Sequence, residues 1–582
     1  MAKKKGEKLY TDTMIGSLYG LTKGMAREVF PVPDRIVFDS RGYGHPAWYQ
    51  STVEKALQDP LVQGYISERK PSGRLDDITA YLKRFDYSEM VAYARTMDRK
   101  FVLHIGPTNS GKTYQALQEL KKAEKGTYLC PLRLLALEVF DQLNMDGVPC
   151  SLLTGEERLD VPFSGITAST IEMADYDEQY DVAVIDEAQM ISDSYRGDKW
   201  FRAIYCLNAK VIHVCLALEA ASKIQSMLKG IGAKFSVIYH HRMAPLEFAG
   251  TLSSLEQVEA GDALIVFSRK SALAVAAELE RKNIRASLVY GALPPASRRE
   301  EVRRFVTGET KVVVATDAIG MGLSLPIRRI IFCETEKFDG FKTRLLLNEE
   351  IRQISGRAGR FGIYDKGYVL TMENTELIRN ALTEAPHQRR TITIPFPEEA
   401  LETSWPIDVL LSAWSKIPLQ KGITRTDMTD ALFLYSLIKP YRTRFDRKTL
   451  YQLIRCPFDV GKMKLVNFWK DCVRCAAFQL PLPEPEAGED SLEECETRYR
   501  QMDILHHIAS AMHMEDNRID EKMQLSERIN RLIAEDIVKY ERRCAICESV
   551  IPAVQKSKFC KTCRKSLHGH GLADEVRLVA AV

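Results

Sequence analysis

The chain has 582 residues, of which 45% are hydrophobic and 27% charged, a composition typical of soluble globular proteins with roughly three to five domains. Its 81 Lys and Arg against 78 Asp and Glu give a formal charge of +3, so nucleic-acid binding would have to come from local patches. The basic start lacks a secretory apolar segment and the Arg- and Ser-rich character of a mitochondrial presequence, and no apolar run reaches about 18 residues. With 13 Cys, we expect a cytoplasmic protein with reduced or metal-bound thiols and no membrane partner.

The texture of the sequence changes along the chain. Residues 1–98 are predicted to be a mostly helical region without recognisable chemistry. From 99 to 372, short apolar strands alternate with helical segments, which predicts an α/β architecture with parallel sheets. Residues 373–480 are predicted to be a helical domain, 481–540 an acidic Pro-bearing linker followed by helices, and 541–582 a Cys-rich module with a tail.

Residues 106–113, GPTNSGKT, follow the apolar strand FVLHI and open a predicted helix, the context of a phosphate-binding loop. Gly106 and Gly111 let the backbone wrap a phosphate chain, Lys112 would meet the β and γ phosphates, and Thr113 would hold Mg²⁺. The other predicted ATP-binding residues of this loop are Pro107, Thr108, Asn109 and Ser110.

Two further segments complete the predicted nucleotide site. In AVIDEAQM, Asp186 directly follows a strand and could hold Mg²⁺, and Glu187 could orient or deprotonate the attacking water. In QISGRAGRFG, Arg357 and Arg360 are predicted to lie on one helix face and to reach a γ-phosphate. The alternative for this second segment is a basic helix whose glycines allow close packing.

Seven segments stand in the order typical of superfamily 2 helicases: GPTNSGKT, PLRLLALEVFDQL, TGEER, ASTIEMA, DEAQM, ATDAIGMGLSLPI and QISGRAGRF. More narrowly, they resemble the mitochondrial degradosome type of ATP-dependent RNA helicase, which also has bacterial members. The resemblance covers residues 99 to about 372 and continues more weakly to about 475. One departure is HVCLALEAA, where the family usually has a Gly-Glu-Pro type motif.

The resemblance implies two tandem RecA-like domains, 99–243 and 244–372, that clamp ATP between them. The implied catalytic residues are Lys112, Asp186, Glu187, Gln353, Arg357 and Arg360. It further implies that Asp317 and Gly320 border the ATP site and couple it to the strand. The implied nucleic-acid contacts are Pro131, Arg133, Gly155, Thr170, Arg269 and Thr316.

Between the last two motifs, Asp339-Gly340 is a strong hairpin turn signal. We hypothesise that Phe338 and Phe341 form a pin that separates duplex strands. A surface loop between a strand and a helix is the alternative.

Near the carboxy terminus, Cys544 and Cys547 form one Cys-x-x-Cys pair and Cys560 and Cys563 a second. Two such pairs predict a tetrahedral Zn²⁺ site, which departs from the family pattern. His568 and His570 are alternative donors, although a polar tail is preferred for them. The lone pair Cys472 and Cys475 is predicted to lie half-buried on a helix. Residues 541–571 carry seven Lys or Arg against two Glu, which indicates a grip on nucleic acid, with protein docking as the alternative.

Three classes of function follow. The leading one is an ATP-dependent helicase that translocates 3′ to 5′ on single-stranded or partly duplex RNA, with a ribonuclease as a candidate partner. A DNA helicase or translocase in repair or mobile-element biology remains open, because backbone contacts do not distinguish the sugars. A scaffold with a decayed site is disfavoured by the intact Lys112, Asp186 and Glu187. The oligomeric state is not predicted.

Overall fold

The structure of the chain is a computed structural model. It describes residues 8–19, 33–38, 44–58, 74–84, 97–155, 157–320, 325–339, 342–385, 391–403, 405–486, 488, 491–516, 518–555 and 557–569.

The amino-terminal region mixes helices with a small sheet. Its elements are β1 Leu9–Thr11, α1 Asp12–Tyr19, β2 Arg35–Phe38, β3 Gly44–Tyr49, α2 Gln50–Ala56 and α3 Arg74–Arg84. The three strands form an antiparallel sheet in the order β1-β3-β2. The helices agree with the predicted helical region, but the sheet was not predicted. Its strands are short and the central one contains Gly44 and Pro46, so they lack the alternation that marks a strand.

The first large sheet has eight strands in the order β11-β4-β10-β9-β5-β8-β6-β7, all parallel except the β6–β7 pair. Its elements are β4 Lys100–Ile105, α4 Lys112–Leu120, β5 Gly126–Cys130, α5 Arg133–Met145, β6 Cys150–Leu153, β7 Arg158–Leu159, β8 Ile166–Thr170, β9 Gln179–Ile185, α6 Gly197–Cys206, β10 Asn208–Leu216, α7 Ala221–Gly230 and β11 Lys234–Tyr239. The central strands are buried apolar runs because helices cover both faces of the sheet.

The second large sheet has six parallel strands in the order β12-β19-β16-β13-β15-β14. Its elements, with a separate β17–β18 hairpin, are β12 Leu246–Thr251, β13 Asp262–Ile265, α8 Arg269–Glu280, β14 Ala286–Val289, α9 Pro295–Val306, β15 Val312–Ala315, β16 Arg329–Phe332, β17 Glu336–Phe338, β18 Thr343–Leu345, α10 Asn348–Ser355, β19 Gly367–Thr371 and α11 Thr375–Thr383. The short segment 240–245 joins the two sheets. We refer to them below as domains 1 and 2.

The remainder is mainly helical, as predicted. Its elements are β20 Ile392–Ile394, α12 Ile407–Trp414, β21 Ile423–Arg425, α13 Thr429–Ile438, α14 Arg447–Ile454, α15 Met463–Ala477, α16 Leu492–Ala511, α17 Ile519–Lys539 and α18 Lys561–Gly569. Short 3-10 helices occur at Ile171–Met173, Ala188–Ser192, Leu218–Ala220, Leu255–Gln257, Asp317–Gly320, Glu398–Glu402 and Lys439–Arg444.

Helix α16 belongs to two hydrophobic cores. Its carboxy-terminal half, including Leu505 and Ile508, is buried in a core that also contains domain 1 and helices α12 to α15. Its amino-terminal half, including Tyr499 and Met502, is buried with domain 2 and helix α17. The carboxy-terminal helices therefore bridge the two parallel sheets. Across the described ranges, the helices are too short or too polar to span a membrane.

Candidate functional site

A cleft of about 240 Å³ lies where the carboxyl ends of the domain 1 strands meet the segment after α10. Loop 106–113 and Glu187 form one wall, and domain 2 forms the other. Its lining residues are Thr108, Asn109, Ser110, Gly111, Lys112, Thr113, Tyr114, Glu187, Leu325, Gly356, Arg357 and Arg360. The cleft thus brings the phosphate loop together with Arg357 and Arg360, which follow it in the sequence by about 250 residues.

The loop has the backbone of a phosphate cradle. Asn109 and Gly111 both have positive φ, 61° and 80°, and Gly111 caps the helix that starts at Lys112. Lys112 Nζ donates to the carbonyls of Gly106 and Pro107, at 2.8 and 2.6 Å. Burial lowers the pKa of Lys112, and the charge of Arg357 acts in the same direction. The ammonium is therefore placed for an anion that would exchange these neutral carbonyls for charged oxygens.

The carboxylate of Asp186 is the centre of the domain 1 wall. It accepts a hydrogen bond from the Tyr128 hydroxyl at 2.8 Å, and Thr113 Oγ1 lies 3.2 and 3.1 Å from its two oxygens. Burial and then the neighbouring charge of Glu187 raise the pKa of Asp186 to about 6. A hydroxyl and a carboxylate at this separation offer the oxygen ligands that Mg²⁺ prefers, so the donor set fits the predicted ion. Tyr128 was not predicted, because nothing in the strand GTYLC distinguishes it from a core residue.

Glu187 lies opposite the arginines of domain 2. Its backbone is left-handed, with φ of 51°, which turns its side chain into the cleft. Arg357 Nη2 lies 3.8 Å from Glu187 Oε1. Gln189 Nε2 donates to the Glu187 carboxylate, and Gln189 Oε1 accepts from Ala217 N at 3.0 Å. The Gln of DEAQ thus fixes Glu187 and links it to the end of β10.

The prediction that Arg357 and Arg360 lie on one helix face is wrong, although both residues lie near the cleft. Helix α10 ends at Ser355, so Arg357 and Arg360 lie in the turns that follow it. Gly359 has φ of 69°, and a Cβ there would meet Gly367 N at 2.5 Å, so the glycines bend the chain against β19. Arg357 and Gln353 instead converge on the Gly320 carbonyl, with Arg357 Nη2 at 2.6 Å and Gln353 Nε2 at 3.3 Å. Both arginines nevertheless line the cleft.

Three contacts hold the two walls together. A Cβ on Gly356 would lie 2.7 Å from Thr108 Cβ, so only glycine permits this approach. Asn109 Nδ2 donates to Gly359 O at 2.7 Å. Arg242, in the segment between the sheets, donates to Thr108 O at 3.2 Å, to Gly356 O at 2.9 Å and to Ala358 O. No motif signal marked Arg242, since its role depends on carbonyls from two distant segments.

The segment HVCLALEAA, whose sequence departs from the usual family motif, is connected to the residues of the cleft. Ala217 N donates to Gln189 Oε1, and Glu219 Oε1 lies 3.9 Å from Arg352 Nε on α10. Backbone and a carboxylate thus connect this segment to both walls without the usual Gly-Glu-Pro pattern.

Asp317 lies outside the cleft lining, contrary to its predicted place in the ATP site. Its carboxylate accepts from Lys337 Nζ at 2.9 Å, and Lys337 also pairs with Glu350 at 2.7 Å. Lys337 lies on β17, so Asp317 connects to the hairpin instead. Gly320 keeps a place beside the cleft through its carbonyl contacts with Arg357 and Gln353.

Most of the residues predicted to contact a nucleic-acid strand lie at or just after the ends of β-strands. Thr170 and Thr316 are buried directly at or after β8 and β15, whereas Gly155 is exposed with open space around it. Pro131 O accepts from Arg196 Nη2 at 2.6 Å, and Arg133 begins α5.

Arg269 is placed differently from its prediction as a strand contact. Its guanidinium pairs with the buried Glu496 and, at 3.2 Å, with Glu493, both on α16. Tyr290 also donates to Glu496, at 2.8 Å. Sequence could not indicate this, because the partners are more than 220 residues away and lie in the segment predicted to be a linker with helices.

The predicted hairpin is confirmed in its strands. Antiparallel β17 and β18 pair Phe338 with Thr343, and 62% of Phe338 is exposed. Phe341 lies outside the described residues. Burial alone would raise the pKa of Glu350, but hydrogen bonds from Arg344, Leu347 N and Lys337 lower it to about 2. The base of the hairpin is therefore held by a carboxylate at the start of α10.

Four thiols converge in the carboxy-terminal module. The Sγ atoms of Cys544, Cys547, Cys560 and Cys563 all lie within 4.8 Å of one another. Tetrahedral zinc with Zn–S bonds of about 2.3 Å places sulfurs about 3.8 Å apart, so the set fits this ion. Backbone N–H groups of the first turn, Cys547 foremost, lower the pKa of Cys544 to about 6, which favours the thiolate. Cys472 is buried and Cys475 partly buried on α15, as predicted, and His570 lies outside the described residues.

The cleft between two RecA-like sheets, with its phosphate loop and facing arginines, defines the helicase class of nucleotide-binding proteins. Residues 88–240 match the family model of the DEXQ-box helicase domain of Suv3, and residues 247–362 match that of the helicase conserved C-terminal domain. The two parallel-sheet domains of the chain thus match a Suv3-type DEXQ-box helicase domain and a helicase C-terminal domain, which confirms the resemblance noted from the sequence motifs.

Two curated relatives illustrate the match. The DExH-box ATP-dependent RNA helicase DExH18, mitochondrial, of Arabidopsis thaliana is 42% identical over 302 residues, which cover 51% of this chain and 39% of that protein. The ATP-dependent RNA helicase SUV3, mitochondrial, of Candida albicans is 40% identical over 319 residues, which cover 52% of this chain and 44% of that protein. The matched stretch therefore spans less than half of each relative. Among solved structures, the Escherichia coli DEAH/RHA helicase HrpB gives a TM-score of 0.45 at 16% identity, covering 73% of this chain and 62% of that chain.

The prediction of a cytoplasmic protein is wrong by this comparison. The relatives of this chain from plants and yeasts are named as mitochondrial proteins.

The close approach at Gly356 predicts an effect on activity without loss of the fold. Gly356→Ala should lower the ATPase rate at least tenfold, because the added Cβ would push the arginine segment away from Thr108. Alanine suits the helical backbone at this position, so the melting temperature should not fall in parallel. Steady-state ATPase assays and thermal melting of the same samples measure both quantities.

Gly230→Ala is the matched control, since it also ends a helix but has open space around it. A Gly356→Ala protein with the activity of the Gly230→Ala protein would contradict the importance of this approach.

Proposed function

We propose that this chain is an ATP-dependent RNA helicase that translocates 3′ to 5′ on a single strand and separates duplexes ahead of it. The observation that supports this most is the cleft that unites Lys112, Glu187 and Arg357 from two RecA-like domains. The names of the relatives favour RNA over DNA as the substrate. A ribonuclease that takes up the released strand is part of the proposal and rests on the family resemblance alone.

The charged residues at the cleft have separate roles in this proposal. Lys112 and the N–H groups of its loop would bind the β and γ phosphates, and Thr113 with Asp186 would hold Mg²⁺, which neutralises phosphate charge. Glu187, oriented by Gln189, would position and deprotonate the attacking water. Arg357 and Arg360 would stabilise the charge of the transferred phosphoryl group. Since these groups come from both domains, hydrolysis depends on a closed cleft.

Gly320 and Asp317 would transmit the conformational change of ATP hydrolysis from the cleft to the nucleic-acid strand. Gly320 O receives Arg357 and Gln353 from the cleft, and Asp317 at the other end of the same 3-10 helix holds Lys337 of the hairpin. A movement of Arg357 would therefore shift the short segment that connects the cleft to β17.

We further infer that the four thiols of the carboxy-terminal module hold Zn²⁺ and that this basic module adds a grip on the nucleic acid. The module is fixed to domain 2, since Ala553 N donates to Glu278 on α8 at 2.7 Å. A nucleic-acid contact made by this module would therefore move with domain 2 during each cycle of ATP hydrolysis.

The first experiment compares steady-state ATPase rates without nucleic acid, with single-stranded RNA and with DNA of matched sequence, at low and moderate salt. We expect stimulation by RNA, because strand binding favours the closed cleft. Glu187→Gln is the background control and should lower the rate by about a hundredfold or more while ATP still binds. Stimulation by DNA that equals or exceeds that by RNA would instead favour the DNA translocase.

The hairpin hypothesis predicts that unwinding and hydrolysis separate. Deleting Asp339 to Phe341, or the single change Phe338→Ala, should lower the unwinding rate by at least about fivefold more than the ATPase rate, since stacking on one aromatic ring is worth about 1 kcal/mol or more. Phe163→Ala, at a fully exposed phenylalanine of domain 1, is the control. Equal unwinding by the Phe338→Ala and Phe163→Ala proteins would exclude the pin.

The zinc proposal predicts about one Zn²⁺ per purified chain. The double change Cys544→Ser and Cys547→Ser should release it, whereas Cys475→Ser should retain it. Elemental analysis measures the metal, and ATP binding by the double variant shows that the cleft persists. Zinc-free parent protein would refute this site.

A further inference from the structure

Two guanidinium groups meet at the turn after β14. Arg298 on α9 donates through Nη2 to Tyr290 O at 3.1 Å and to Gly291 O at 3.2 Å. Arg500 on α16 donates through Nη2 to the same Gly291 carbonyl at 3.4 Å. One neutral acceptor thus serves two cations that come from different parts of the chain.

In the part of the chain that the structure describes, Arg298 has neutral partners only. Its Nε is buried without a hydrogen-bond partner, and none of the carboxylates in the described ranges forms an ion pair with it. Burial lowers the pKa of Arg298 to about 10, and the charges of Arg500 and Arg133 act in the same direction. Arg298 is partly buried and its hydrogen-bond acceptors in the described ranges are neutral carbonyls, so its charge favours an anion nearby.

The turn itself is accessible. Gly291 is exposed, and a Cβ built on it would meet no atom within 4 Å. The neighbouring Arg299 pairs with Asp141 on α5 of domain 1 at 2.7 Å, so the turn lies where the two domains face each other. Arg133, at the start of that same helix α5, is one of the residues predicted to contact a strand. The open turn thus carries arginines from domain 2 and α16 and lies on the side of domain 2 that faces helix α5.

Helix α16 neutralises one arginine of domain 2 and adds an arginine at another place on its surface. Through Glu496 and Glu493 it neutralises Arg269, the cation predicted to face the strand. Seven residues after Glu493 it supplies Arg500 to the Gly291 turn. Asp503 lies 3.0 Å from Arg500 and balances part of its charge, whereas none of the described carboxylates pairs with Arg298.

We propose that Arg298 and Arg500 bind a backbone phosphate of the RNA strand at the Gly291 turn, beside Arg133. Guanidinium groups match phosphate oxygens in shape and charge, and a strand that crosses both domains brings such an anion to this position. The proposal rests on the proposed helicase function and adds that α16, outside both matched helicase domains, is part of the nucleic-acid site.

The test is the salt dependence of RNA binding by the full chain, measured by fluorescence anisotropy with a labelled single-stranded RNA. Arg500→Gln should weaken binding by roughly three- to tenfold and reduce the slope of log affinity against log salt by about 0.7, the value for one phosphate of a single strand. Arg500→Lys should restore the slope, because it keeps the charge. Arg531→Gln, at an exposed arginine on α17, removes the same charge elsewhere and should change neither quantity.

The outcomes separate this inference from the proposed function. Parent protein that binds RNA with a salt-dependent affinity, together with an Arg500→Gln protein that matches Arg531→Gln in affinity and slope, would overturn the phosphate site alone. Parent protein that binds no RNA and whose ATPase is not stimulated would overturn the helicase function itself. Thermal melting of each variant shows that the compared proteins are folded.

Discussion

The contact between the phosphate loop and the glycine-containing segment after α10 is the constraint on which the cleft depends. Gly356 approaches Thr108 so closely that a single methyl group would not fit, and Arg242 bonds to carbonyls on both sides of this contact. Because one arginine side chain bonds to backbone carbonyls of both segments and no side chain stands between Gly356 and Thr108, these contacts fix the distance between the walls. Glu187 and Arg357 are held opposite each other by this distance, so the chemistry of the cleft follows from the packing of two glycine-containing segments.

Helix α16 imposes a second constraint on the cleft, because it limits how far the two domains can rotate apart. Its two halves are buried in different cores, one shared with domain 1 and one with domain 2. A cleft that opened by rigid rotation of the domains would have to bend this helix or expose one of its halves, and either costs buried apolar area. The region beyond the helicase domains therefore takes part in the mechanics of the cleft as well as in its charge distribution.

Local patterns predicted what depends on local chemistry. The loop 106–113, the strand-end Asp186 and the paired cysteines each need particular residue types at fixed spacing, and the structure brings each set together. Predictions that depended on distant partners fared less well. Glu496 takes up Arg269, and nothing near Arg269 in sequence indicates it. The helix expected to carry Arg357 and Arg360 ends earlier, because Gly359 adopts a left-handed backbone that a helix does not allow.

The electrostatics of the cleft explain why a nucleotide with its metal ion fits it better than either alone. Burial makes Lys112 a weaker cation and Asp186 a weaker anion than they would be in water, since it lowers the first pKa and raises the second. A phosphate chain next to Lys112 favours its charged form, and a divalent cation between Thr113 and Asp186 favours the carboxylate. Because the two groups share one small cleft, the phosphate and the cation each reduce the repulsion that the other would meet. The same burial that destabilises the charges of the protein thus makes binding of the ion and the nucleotide mutually dependent.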